Sequence, residues 1–129
     1  MDREILVEQI QNVERELRRA FGPVSLLMLV SPDPQVDDEW NVIASARGFN
    51  RISRAEGIRE LIDLLRRTLA RRLWSGIKRV TVLRTDDPFV LAMASAFRNT
   101  RSVMDMQSCS VSGIEIPKGV LFTSRKVAA

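Results

Sequence analysis

The chain has 129 residues, 45% hydrophobic and 28% charged, which suits one globular domain with its own core and excludes a disordered, collagen-like or fibrous chain. It contains one cysteine, no histidine and no tyrosine, so an internal disulfide, a histidine general base, a histidine-ligated zinc site and a phosphohistidine relay are all excluded within this chain. The surplus of 20 basic over 16 acidic residues is a formal +4, and its meaning depends on where the cations sit rather than on their total.

The longest apolar run, Val24 to Val30 interrupted by Ser25, is far short of the roughly 20 residues of a membrane-spanning helix. The start, Met1, Asp2, Arg3, Glu4, lacks the basic and apolar pattern of a secretory signal. The expectation is a cytoplasmic chain with no membrane partner, and the lone Cys109 fits a reducing compartment.

From Arg3 to Ala20, Leu6, Ile10, Val13 and Leu17 recur at steps of four, three and four among charged residues, the pattern of an amphipathic helix ended by Gly22 and Pro23. The stripe is narrow, close to heptad spacing, and a candidate interface with a partner helix. Val24 to Val30 reads as a central strand buried on both faces. Ser31 to Glu39, with two prolines and four acids, reads as an exposed loop. Trp40 to Ala46 is the expected antiparallel partner of the first strand.

Ser53 and Glu56 form an S-x-x-E capping box that starts the main helix. Its expected buried stripe is Ile58, Leu61, Ile62, Leu65, Leu69 and Leu73, its length about twenty residues, and Gly76 its terminator. Ile77 to Leu83 follows as a strand. Asp86 or Asp87 caps a short helix opening at Pro88, with Phe89, Val90, Met93 and Phe97 on its core face. Ser102 to Val111 and Ile114 to Ser124 read as two strands joined near Ser112 and Gly113, where Pro117 and Gly119 suggest an edge strand or a bulge. The fold class is therefore α+β (or α/β): residues 1–129 form a single domain with a mixed sheet of about five strands and about three helices, ordered α-β-β-α-β-α-β-β.

Few chemical constellations survive. Asp86 and Asp87 lie past the end of a strand, where ligands bind in open sheets, and with Glu115 they are a candidate magnesium site for a phosphodiesterase or nuclease-like enzyme, Lys118 completing it. Against this stands the capping role of one aspartate and the solvation of the other. The acidic loop lacks the periodicity of an EF-hand, and no G-x-G-x-x-G or G-x-x-x-x-G-K can be assembled. Cys109 reads as a packed thiol in a strand. No cofactor is implied.

Arg66, Arg67, Arg71 and Arg72 recur at helical spacing as a basic ridge, the candidate contact for an anionic ligand or nucleic acid. Few exposed aromatics interleave it, which weakens a base-stacking platform. Trp74 closes the main helix and is a candidate interface anchor. With catalytic side chains scarce, the expected function is a non-catalytic protein-interaction or regulatory module acting as a homodimer through the first helix, Trp74 and the final hairpin, whose edge strand would be unpaired. Nucleic-acid binding and magnesium-dependent phosphodiester cleavage are the alternatives.

Overall fold

Strand β1 (Val24–Val30) is the centre of the molecule in the computed structural model, which describes residues 3–98 and 102–129. Its sheet has the order β3-β2-β1-β5-β4, with β2 (Trp40–Ala46), β3 (Ile77–Val82), β4 (Met104–Val111) and β5 (Ile114–Ser124). β1 runs antiparallel to both β2 and β5, β4 runs antiparallel to β5, and β2 and β3 are parallel. Parallel strands need a crossover. Helix α2 (Arg54–Thr68) supplies it, while α1 (Arg3–Phe21) precedes β1 and α3 (Pro88–Ala96) links β3 to β4.

Two cores follow from the alternation of side chains along β1. Val24, Leu27 and Leu29 join Leu6, Ile10, Val13 and Leu17 of α1 and Leu61, Leu64 and Leu65 of α2 on one face. Leu26 and Met28 join Phe89, Val90 and Met93 of α3 on the other. The arrangement has three layers, with helices on both faces of a five-stranded mixed sheet. A register shift at Ser25 lets Val24 and Leu27 share a face, and the Ser25 hydroxyl donates to the Arg125 carbonyl at 2.6 Å.

The stripe of α1 is therefore core and not interface: Leu6, Ile10, Val13 and Leu17 are each at most 1% exposed within a single chain. A seam this narrow is filled by the sheet and α2 beneath it, so no second helix has access to it. Gly22, at φ +78°, ends α1 in the left-handed region, and its N–H donates to the Arg18 carbonyl at 2.9 Å.

The capping box forms as expected, with the Glu56 N–H donating to the Ser53 hydroxyl at 3.1 Å. The helix it starts is shorter than its apolar spacing suggests, ending after 15 residues at Thr68. Leu69 and Ala70 are extended, at ψ 141° and 140°, and the Ala70 N–H donates to the Gln9 side-chain carbonyl of α1 at 2.6 Å. A long-range acceptor thus replaces the helical one. Arg71–Gly76 then forms a 3₁₀ turn that carries Leu73 into the core. Gly76 is buried at the end of this turn and has no positive φ, so it is not the helix terminator.

Asp87, not Asp86, caps α3, accepting the Phe89 N–H at 2.8 Å. Phe97 lies one residue beyond the helix but still packs on its core. The hairpin tip is the two-residue turn Ser112-Gly113, both at positive φ, the geometry that matches strand twist. β5 lies between β1 and β4 over its second half, so Gly119 marks no sheet edge. Pro117 falls where β5 pairs with β4 alone, and pairing with β1 begins at Gly119. A Cβ on Gly119 would stand 3.0 Å from the Leu29 carbonyl oxygen, which explains the glycine.

Two outcomes follow from this packing. Ile10→Ala is expected to cost about 2–5 kcal/mol in urea unfolding while leaving the sedimentation mass unchanged, as a core position requires and an interface position does not. Glu14 of α1 accepts the Thr123 hydroxyl and pairs with Arg18 at 3.6 Å. Burial pushes its carboxyl above the ordinary value, against the pull of Arg18, Arg125 and Arg15. A raised folded-state value means tighter proton binding in the folded chain, so this stabilisation is complete at low pH and is lost as pH rises through the raised value. Relative to Glu14→Gln, the wild type is expected to lose stability as pH rises from the ordinary carboxylate range through the raised value, and parallel curves for the two proteins would contradict it.

Candidate functional site

The three carboxylates expected to share a metal do not meet. Asp86 and Asp87 follow β3, whose Val82 lies level with Ala44, Leu27 and Thr123 across the sheet. Glu115 precedes Thr123 on β5 by about eight residues, roughly 26 Å along the strand, and stands toward the opposite end of the sheet. Among the described residues no group of three or more Cys, Asp or Glu is placed to hold a metal ion. Asp86 is gripped by Arg84 at 3.0 and 3.4 Å, and hydrogen bonds from that guanidinium hold its carboxyl below the usual range.

The segment after β3 is instead a structural latch. The Asn50 side chain donates to the Thr85 hydroxyl at 2.7 Å and accepts the Thr85 N–H at 3.0 Å, while Arg84 donates to the Asn50 carbonyl at 3.2 Å. These bonds tie β3 to the 3₁₀ turn Arg47–Arg51 that follows β2. Cys109 is half-buried on β4, its thiol donating to the Gln107 carbonyl at 3.4 Å.

The basic ridge is divided by the break in the helix. Arg66 and Arg67 belong to α2, Arg71 and Arg72 to the separate 3₁₀ turn, so their spacing is not one helical register. All four are exposed. Arg67 donates to the Asp63 carbonyl at 3.4 Å. Arg72 shares a shallow cleft with Asp37, Asp38 and Glu39, which balances its charge locally.

The break builds a site that helical spacing does not disclose. A cleft of about 260 Å³ runs between α2 and β3, walled by Ile62, Leu65 and Leu69 on one side and Ile77 and Val80 on the other, with Trp74 at its mouth. The Trp74 indole N–H donates to the Leu69 carbonyl at 3.3 Å, which sets the ring, and the side chain remains 38% exposed. The Arg66 guanidinium lies 6.0 Å from the ring centroid, within cation–π range. Trp40, by contrast, is 4% exposed and packs in the core.

Along this cleft runs the free edge of the sheet. Among the described residues β3 pairs with β2 alone. The Leu83 N–H donates to the Ala44 carbonyl at 3.0 Å, which fixes the parity: residues flanking Val82 bond to β2, and Val80 and Val82 turn their own N–H and C=O groups outward. The sheet's other edge, β4, exposes the polar side chains Asp105, Gln107, Ser108 and Ser110 and is interrupted at Ser108, with φ +50°. That edge is defended against strand addition.

Lys78 and Arg79 add charge to the cleft, along with Arg66. Lys78 is paired with Glu39 at 3.4 Å. Neither Arg66 nor Arg79 has a carboxylate partner among the described residues. The arrangement offers unpaired backbone groups, an apolar trough and two cations without carboxylate partners among the described residues, Arg66 on the trough side and Arg79 on the other face of the same strand edge.

No family model matches the chain, and comparison with curated proteins and with solved structures finds no match. No helix among the described residues is long and apolar enough to cross a membrane.

The capping role of Asp87 sets a clear expectation. Asp87→Ala is expected to lower stability by about 0.5–2 kcal/mol through loss of the α3 cap, measured by urea unfolding, and added magnesium is expected to shift the wild-type midpoint no more than that of the variant.

Proposed function

We propose that this chain is a non-catalytic protein-interaction module whose working surface is the β3 edge and the apolar cleft under Trp74. The single observation that carries this reading is the coincidence of an unpaired strand with a hydrophobic trough. Strand addition to a sheet edge draws affinity from main-chain hydrogen bonds and selectivity from pockets for alternate side chains. Each such bond contributes about 0.5–1.5 kcal/mol net, so the trough and the Trp74 ring must supply the rest.

A partly exposed tryptophan held by its own N–H is suited to this role, because its orientation is set before a ligand arrives and little ordering entropy remains to be lost. A homodimer through α1 has no available surface, since that stripe is core. Nucleic-acid binding keeps four exposed arginines but has only Trp74 as an exposed aromatic among the described residues, where base stacking asks for several. Magnesium-dependent phosphodiester cleavage loses its ligand set, because Glu115 stands apart from Asp86 and Asp87.

Selection of random octapeptides displayed on phage against the intact protein tests the reading. Peptides are expected to be recovered whose affinity falls at least tenfold in Trp74→Ala, a side chain exposed enough for the fold to survive its loss. Recovery of ligands indifferent to Trp74→Ala, or of none while labelled single-stranded oligonucleotides bind with steep salt dependence, would refute it.

A further inference from the structure

We infer that the segment this cleft accepts is an acidic one, in extended conformation, with carboxylates alternating with apolar residues and its backbone laid along β3. This rests on the cleft under Trp74 being the working surface and goes on to name the chemistry of its occupant. The backbone requirement comes from β3 itself. Val80 and Val82 direct their N–H and C=O groups away from β2, and only a chain in the β conformation matches that spacing.

Alternation follows from the two environments that such a chain meets. Successive side chains of an added strand point to opposite faces, so every second residue faces the trough of Ile62, Leu65 and Ile77. Apolar side chains are favoured there, since a buried polar group without a partner is costly.

The sign of the charge comes from the cations. Arg66, on the trough side, and Arg79, which alternates with Val80 and so stands on the other face of β3 where the second set of side chains of an added strand falls, border the cleft without carboxylate partners among the described residues. Arg66 is held over the Trp74 ring, an arrangement that orients the planar guanidinium for a carboxylate. Lys78, which also lines the cleft, already has a carboxylate on it: Glu39 of the neighbouring loop, at 3.4 Å. The same surface thus accepts one acid from its own chain and has two further positions for acids from outside.

A second copy is the obvious rival, since a free edge pairs readily with its own kind. Two-fold pairing of β3 with β3 would bring both copies of Lys78, Arg79 and Arg66 into one interface, and like charges across a strand pair destabilise it. Cations on an edge strand therefore oppose self-pairing while attracting an anionic strand, and charge complementarity selects the acidic peptide.

The experiment uses the intact protein, the selected octapeptides and two labelled probes, an octapeptide alternating Glu with Val and its counterpart with Lys in place of Glu, all read by fluorescence anisotropy. Selected sequences are expected to carry Asp or Glu at alternate positions, and the Glu probe to bind at least tenfold tighter than the Lys probe. The double charge reversal Arg66→Glu with Arg79→Glu is expected to invert that order. Val80→Pro removes an outward N–H that β2 does not use and is expected to abolish binding with an unchanged circular dichroism spectrum.

N-methylation of the Glu probe supplies a readout that leaves the protein untouched: methyl groups at one set of alternate amides are expected to abolish binding, and at the other set to leave it within threefold. Peptides that depend on Trp74 but are neutral or basic, or that tolerate both methylation patterns, would overturn the inference while leaving the docking surface in place. A dimer that tightens with salt and is broken by Val80→Pro would overturn it in favour of self-pairing. Ligands that ignore Trp74→Ala would remove both readings together.

Discussion

β1 is hydrogen-bonded along both edges and apolar on both faces, and every other element takes its place from that constraint. Leu26, Leu27, Met28 and Leu29 are fully buried, each contributing about 1.5–3 kcal/mol by leaving water, and alternation sends them into two separate cores. A strand buried on both faces must be covered on both. α1 and α2 close one side, and α3 closes the other with its nine residues, which is why the chain needs a three-layer architecture rather than a sheet with one wet face.

The candidate site arises where two helices disagree over one backbone amide. Had α2 continued, Leu69 and Leu73 would have kept a single helical stripe and Trp74 would have followed it round the helix. Instead the Gln9 side chain accepts the Ala70 N–H, the chain straightens for two residues, and the 3₁₀ turn brings Leu73 beneath α1 and leaves Trp74 over the gap between α2 and β3. The cleft is thus a by-product of core packing. Its cations come from two different elements, Arg66 from α2 and Lys78 and Arg79 from β3, with Glu39 of the loop before β2 restraining one of them.

The two edges of the sheet are treated differently, and this bears on function more than the net charge does. β4 exposes short polar side chains and is interrupted opposite Pro117, so its edge resists extension. β3 has an uninterrupted stretch at Val80 and Val82 with outward backbone groups, flanked by cations. A modest surplus of +4 becomes informative only when two of its members, Arg66 of α2 and Arg79 of β3, stand beside the β3 edge with no carboxylate partner among the described residues.

Sequence periodicity by itself determined the element order, the central position of β1, the capping box at Ser53 and Glu56, the cap before Pro88 and the absence of histidine chemistry, because each depends on neighbours within a few residues or on composition. Tertiary structure decided what the apolar stripes face, since Leu6, Ile10, Val13 and Leu17 carry the same spacing whether they meet a partner helix or their own sheet. It also decided that Glu115 lies far from Asp86 and Asp87, a matter of strand order, and that β3 is a second edge strand besides β4 of the final hairpin. The shortening of α2 was beyond local reading for the same reason. The acceptor that ends it, Gln9, lies 61 positions away from Ala70, and no property of the segment 54–76 taken alone records that encounter.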